Sequence, residues 1–140
     1  MSTVLLVEDD LANRAVIEDI FQFDDVGAEL ACVDSGEKAM LVIPKLQPIL
    51  ILMDIRLPGI SGLEVTRTLK TESGSKDIPI WAITAYAMSE DKDKALAAGC
   101  DEYITKPINS GALREKIRKL ISPAWQLPKS RQDLYKAPYR

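Results

Sequence analysis

The 140-residue chain has no histidine, two cysteines and few aromatics: two Phe, two Trp and four Tyr. Without His there is no imidazole general base, no His-based triad and no His-ligated zinc. Cys32 and Cys100 lack the CxxC spacing of a thiolate metal site or redox pair, so both are expected to be buried or half-buried thiols. Long hydrophobic runs are missing too, and nothing approaches the roughly 18 apolar residues that cross a bilayer. Met1-Ser2-Thr3 leads through a short apolar stretch into Glu8-Asp9-Asp10, with no basic start, long apolar centre or cleavage site. A signal peptide is therefore not read, Met1 suits a natural start, and a cytoplasmic location is expected.

What is present describes an ordinary globular protein: 46% hydrophobic and 28% charged residues. The length fits one domain, which at this size buries about two thirds of the surface its unfolded chain exposes. The net charge of −3 hides a split. Residues 123–140 carry Lys129, Arg131, Lys136 and Arg140 against Asp133 alone, so the acidic excess belongs to the residues before them. An acidic body argues against direct DNA binding, because phosphate neutralisation needs clustered Lys and Arg.

Apolar runs alternate with helix-like segments, and no internal repeat or low-complexity segment interrupts them. Val4-Leu5-Leu6-Val7 reads as a strand, followed by a helix over 12–23 with Val16, Ile17, Ile20 and Phe21 on one face. Residues 29–33 form a second strand, after which Ser35 caps a helix carrying Ala39, Met40, Val42 and Ile43. The third strand is Ile49 to Met53. Ser61 opens the next helix with Glu64 at capping-box spacing, and Leu63, Val65 and Leu69 supply its apolar contacts up to Gly74-Ser75. The fourth strand runs over 78–84, with Pro79 near its start. Ser89 to Ala98 is a charged, Ala-rich helix with little apolar face, closed by Gly99 and expected to pack loosely. Residues 103–105 form a short fifth strand, and Ser110 is read as the cap of a last helix with Leu113, Ile117, Leu120 and Ile121. Trp81 and Met40 are read as core. Five strand-helix units call for an α/β fold with a parallel sheet covered on both faces, because parallel neighbours need right-handed crossovers.

In such a sheet ligands bind beyond the carboxyl ends of the strands. Asp54 stands there, closing the apolar run Ile49-Leu50-Ile51-Leu52-Met53. A turn-forming role would explain it alone. It has company, however: the first strand ends in Glu8-Asp9-Asp10, the fourth in Thr84-Ala85 and the fifth in Lys106-Pro107. Clustered acids need a compensating cation, and oxygen ligands without His favour a hard ion such as Mg2+. A carboxylate-held metal leaves room for phosphate oxygens, which Lys106 and the Thr84 hydroxyl could meet. The reading is phosphoryl transfer, with a carboxylate nucleophile forming an aspartyl phosphate. Asp10 equally suits the N-cap of the first helix.

These residues resemble a family. Leu6-Val7-Glu8-Asp9-Asp10, Leu52 through Gly62, Ile83-Thr84-Ala85 and Tyr103-Ile104-Thr105-Lys106-Pro107 look like the receiver domain of two-component response regulators, over about residues 2–122. The resemblance implies a flavodoxin-like order of strands, 2-1-3-4-5. It implies that Asp54 accepts a phosphoryl group from a histidine kinase or histidine phosphotransfer protein. Asp9 and Asp54 are implied as direct Mg2+ ligands, Glu8 as a water-mediated one and the Arg56 main-chain carbonyl as a further one. Thr84, Ala85 and Lys106 are implied phosphate contacts, and Thr84 with Tyr103 the switch. Arg56 and Tyr86, two positions after Asp54 and Thr84, are implied modulators of phosphoryl lifetime, and Lys106-Pro107 is implied to be cis. The resemblance also implies a chain that phosphorylates and dephosphorylates itself and is no conventional turnover enzyme. Its output is binding of a downstream protein through the helix over 89–98, the fifth strand and the last helix.

Two other classes are weighed against this. An Asp-nucleophile phosphohydrolase typically needs a second Asp two residues on, where Arg56 stands; a phosphorylation-independent pseudo-receiver scaffold would not need every polar site residue. Residues 123–140, with three prolines and Trp125, Leu127, Leu134, Tyr135 and Tyr139, read as a basic tail. The tail is too short for a winged-helix output domain; a membrane surface, a partner, its own acidic body or solvated disorder all suit it.

Overall fold

The computed structural model describes residues 2–23, 26–85 and 89–121, with the side chain of Ser89 excepted. The elements follow in strict alternation: β1 (Thr3–Val7), α1 (Leu11–Phe23), β2 (Glu29–Val33), α2 (Gly36–Leu46), β3 (Leu50–Asp54), α3 (Gly62–Thr71), β4 (Ile80–Thr84), α4 (Ser89–Ala98), β5 (Glu102–Thr105) and α5 (Ser110–Ile121). All pairings are parallel and the order is β2-β1-β3-β4-β5, so the flavodoxin-like arrangement is borne out.

Alternation along the strands sends side chains to two separate cores. Leu5, Val7, Ile51, Met53 and Ala82 face the layer of α2, α3 and α4, where they meet Ala39, Ile43, Val65, Leu69 and Ala95. Val4, Leu6, Leu50, Leu52 and Ile83 face α1 and α5, where they meet Ile17, Ile20, Leu113 and Ile117. The central strands β3 and β4 are buried throughout, as a parallel sheet covered on both faces demands. Cys100 is buried and Cys32 half-buried, and burial pushes both thiols up.

Local chemistry fixes the helix starts. Asp10 Oδ1 accepts from Asn13 N at 3.0 Å, which makes it the cap of α1. Ser35 Oγ accepts from Lys38 N at 3.1 Å and Ser61 Oγ from Glu64 N at 3.2 Å, as the spacing predicts. Gly99 closes α4 at a φ of 111°, where a side chain would be strained.

Several sequence expectations shift. The cap of α5 is Asn109, whose Oδ1 accepts from Ala112 N at 3.0 Å, and Ser110 is the first helical residue; Asn caps as well as Ser, and here it stands one position earlier. β3 begins at Leu50 and includes Asp54, which pairs in register with Ile83. β4 begins at Ile80, after Pro79, and α3 ends at Thr71, short of Gly74. Val16 is exposed, while Ile17 and Ile20 are buried and Phe21 packs half-buried against the same core. α4 does bury a face, through Ala95 and Ala98, while its larger Leu96 remains 44% exposed. Trp81 is core, whereas Met40 is only half-buried.

Candidate functional site

Strand register assembles the site. Val7 pairs with Met53, so Glu8 and Asp54 emerge side by side from β1 and β3. Asp54 pairs with Ile83, placing Thr84 one residue further along β4, and Thr84 pairs with Thr105, placing Lys106 just beyond β5. A backbone bond from Lys106 N to Thr84 O at 2.8 Å ties the last two together. The Lys106–Pro107 peptide is cis, as implied.

The acids converge. Carboxylate oxygens of Glu8, Asp9 and Asp54 all lie within 4.8 Å of one another. Glu8 is fully buried and Asp54 is 4% exposed, while Asp9 is open to solvent. Lys106 Nζ reaches both buried acids, 3.1 Å from Glu8 Oε1 and 3.4 Å from Asp54 Oδ2. The approach to Glu8 lies off hydrogen-bond geometry, so this buried oxygen has no hydrogen-bond partner among the described residues. Its other oxygen accepts weakly from Asp10 N at 3.3 Å, and Asp54 Oδ1 accepts from Arg56 N at 2.9 Å.

One ammonium does not balance three carboxylates, and the imbalance shows in the titration. Burial, then the neighbouring Asp54, pushes Glu8 up to about 7, against a smaller downward pull from Lys106. Burial alone would lower Lys106, but the Asp54 and Glu8 carboxylates outweigh it and hold the ammonium above its ordinary range. A buried oxygen that has an ammonium at 3.1 Å but no hydrogen bond, in a cluster of hard oxygen donors, fits a divalent cation of the Mg2+ class.

The backbone brings α3 hard against this edge. A β-carbon on Gly62 would overlap the Asp54 carbonyl oxygen, so only glycine lets the helix begin there. The intervening loop is held from α2: Glu37 Oε2 accepts from Ile60 N at 3.1 Å, beside Gly59 at a φ of 72°.

A sequence model described as the response regulator receiver domain matches residues 4–118. The chain belongs to the response regulator receiver family. It is 38% identical over 122 residues to the polar-differentiation response regulator DivK of Brucella ovis, covering 87% of this chain and 98% of that protein. The receiver domain of the Pseudomonas aeruginosa sensor histidine kinase PA1611, whose active-site cleft coordinates a magnesium ion, is 32% identical with a TM-score of 0.76, over 86% of this chain and 97% of that one. Chemotaxis protein CheY4 of Vibrio cholerae superposes with a TM-score of 0.77 at 26% identity, over 86% and 98%.

Within this receiver the residues expected from sequence distribute unevenly. Glu8, Asp9, Asp54 and Lys106 meet directly. Thr84 is fully buried at the same edge, and Ala85 follows it, exposed. Tyr103 lies further back, paired with Ala82, half-buried against the core on the α4 side. By strand alternation Thr84 shares the face of Ala82, so Thr84 and Tyr103 look toward the same helix layer. Tyr86 and residues 122–140 lie outside the described residues, as do the expectations attached to them. Sequence reasoning missed Glu37, which looks like an ordinary first-turn acid and is set apart only by its bond to Ile60 N. Among the described residues no helix is long and apolar enough to cross a membrane.

Proposed function

We propose that the chain is a phosphorylation-controlled receiver of a two-component phosphorelay, that Asp54 is its phosphoacceptor, and that its output is the binding of a downstream protein. The observation that carries this reading is the convergence of two buried, mutually repelling carboxylates with Lys106 at the carboxyl edge. Such an arrangement costs stability, and it gains a purpose when a cation and a phosphoryl group share it.

The donor is a phosphohistidine of a kinase or phosphotransfer protein. An Asp54 carboxylate oxygen attacks phosphorus, the P–N bond breaks, and the departing imidazole nitrogen keeps the electron pair and takes up a proton. The bond from Arg56 N to Asp54 Oδ1 fixes the carboxylate plane for this attack. Lys106 neutralises charge on the transferring oxygens, while the Thr84 hydroxyl and the Ala85 main chain contact the product phosphate. Asp9, Asp54 and the Arg56 carbonyl would hold Mg2+, with Glu8 acting through water. Bound there, the ion would screen the carboxylates and draw charge off the phosphoryl oxygens. The added charge favours a state in which Thr84 turns to the phosphate and Tyr103 moves inward. The receiver spans 2–122, with 123–140 as an appended basic tail, and the protein works in the cytoplasm without contacting DNA.

Incubation with Mg2+ and a small acyl phosphate, read by intact mass, tests the assignment. Wild type gains a base-labile adduct of roughly 80 Da and Asp54→Asn gains none. An unmodified wild type under every donor would mark a phosphorylation-independent scaffold.

A further inference from the structure

Arg56 is fastened at both ends. Its main-chain N–H holds Asp54, while its guanidinium Nη2 lies 3.9 Å from Asp91 Oδ1 in the first turn of α4. The partners differ in exposure: the Arg56 side chain is 58% exposed and that of Asp91 13%. The aspartate is thus seated against the body, and the more exposed arginine side chain reaches across to it. Asp91 also bears on β5, since its charge adds to burial in pushing the Tyr103 phenol up. Among its described side chains α4 buries just the small Ala95 and Ala98, so a contact at its first turn adds appreciably to what holds the helix.

We propose that Asp91 holds the Arg56 guanidinium on α4 while Asp54 is unmodified, and that phosphorylation of Asp54 draws the guanidinium away and loosens the first turn of α4. This rests on the reading of Asp54 as phosphoacceptor. The acyl phosphate carries about 1.5 to 2 negative charges where the ionised carboxylate carried one, two residues from Arg56, and a guanidinium fork matches its phosphate oxygens. A partly exposed ion pair is weak and therefore easily outcompeted. The resulting change of state equals the difference in contacts between the two positions of one side chain. It links the site to α4 by charge, independently of the Thr84 hydroxyl.

Amide hydrogen exchange of residues 90–98, followed by mass spectrometry, tests the latch. Asp91→Asn and Arg56→Gln should each speed exchange by about twofold to fivefold, with the double variant no faster than either single one. Arg56→Lys should restore part of the protection. Asp91 also favours the helix dipole, so Glu90→Gln, which removes a charge from the same turn, is the control and should change exchange less. Phosphorylated wild type should show the same acceleration, and phosphorylated Arg56→Gln no more than its unmodified form. Single variants at the wild-type rate, or a double variant that adds the two effects, overturn the latch. An adduct on Asp54 with unchanged α4 exchange overturns the release. Failure to form any adduct overturns the phosphoacceptor reading and the release with it, while the unmodified variants still decide the latch.

Discussion

Leu52 and Asp54 sit two residues apart on β3 and are almost equally buried, at 0% and 4% exposure, yet they belong to different economies. Leu52 fills the core under α1 and α5, and its burial is the reason the strand forms. Asp54 opposes folding, since it brings a carboxylate beside Glu8 with one ammonium for both. The sheet interior thus supplies stability, and its carboxyl edge draws on it. Perturbing the two regions should therefore move stability and chemistry in opposite directions.

The largest separation is expected from Asp54→Asn. It should abolish the phosphoryl adduct outright while leaving the fold at least as stable in the absence of Mg2+, because Lys106 keeps Glu8 as a partner; thermal melts and intact mass check both halves. Leu52→Ala should do the reverse, costing about 2–5 kcal/mol in urea titration while the folded fraction still forms the adduct.

Glu8 sharpens the contrast through pH. A carboxyl raised from 4.5 to about 7 binds its proton more tightly in the folded state, so its contribution is fully present below pH 4.5 and is lost as pH rises through 7. The full loss is of order 3 kcal/mol. Stability measured without metal should fall across that window, Glu8→Gln should flatten the fall, and Mg2+ affinity should climb as Glu8 ionises. The smallest expected effect lies on α3: Ser61→Ala removes its cap and should cost about 1 kcal/mol in a denaturant titration, with no loss of the adduct.

The edge was legible in the sequence because burial and polarity disagree there. Five apolar residues ending in Asp54 mark a strand end where a charge is placed deliberately, and Glu8-Asp9, Thr84 and Lys106 repeat the pattern on three other strands. Ser35 and Ser61 were readable because a cap is a local bond. Asn109 and Ser110 were not separable, since both cap well and adjacent positions compete. The loose packing expected of α4 followed from its small apolar face, and there Ala95 and Ala98 are buried while Leu96 stays largely exposed. Neither the Arg56–Asp91 contact nor the bond from Ile60 to Glu37 has a sequence signature, because each joins elements that only the folded chain brings together.

Gly62 contributes by having nothing to contribute. Because even one methyl there would collide with the Asp54 carbonyl, the missing side chain acts as a spacer that sets how closely α3 approaches the end of β3. Enlarging that spacer by a single carbon would push the start of α3 away from the end of β3 while keeping every charge and hydroxyl of the edge. Position 62 is in that sense a ruler for the site, through which its dimensions can be changed apart from its chemistry.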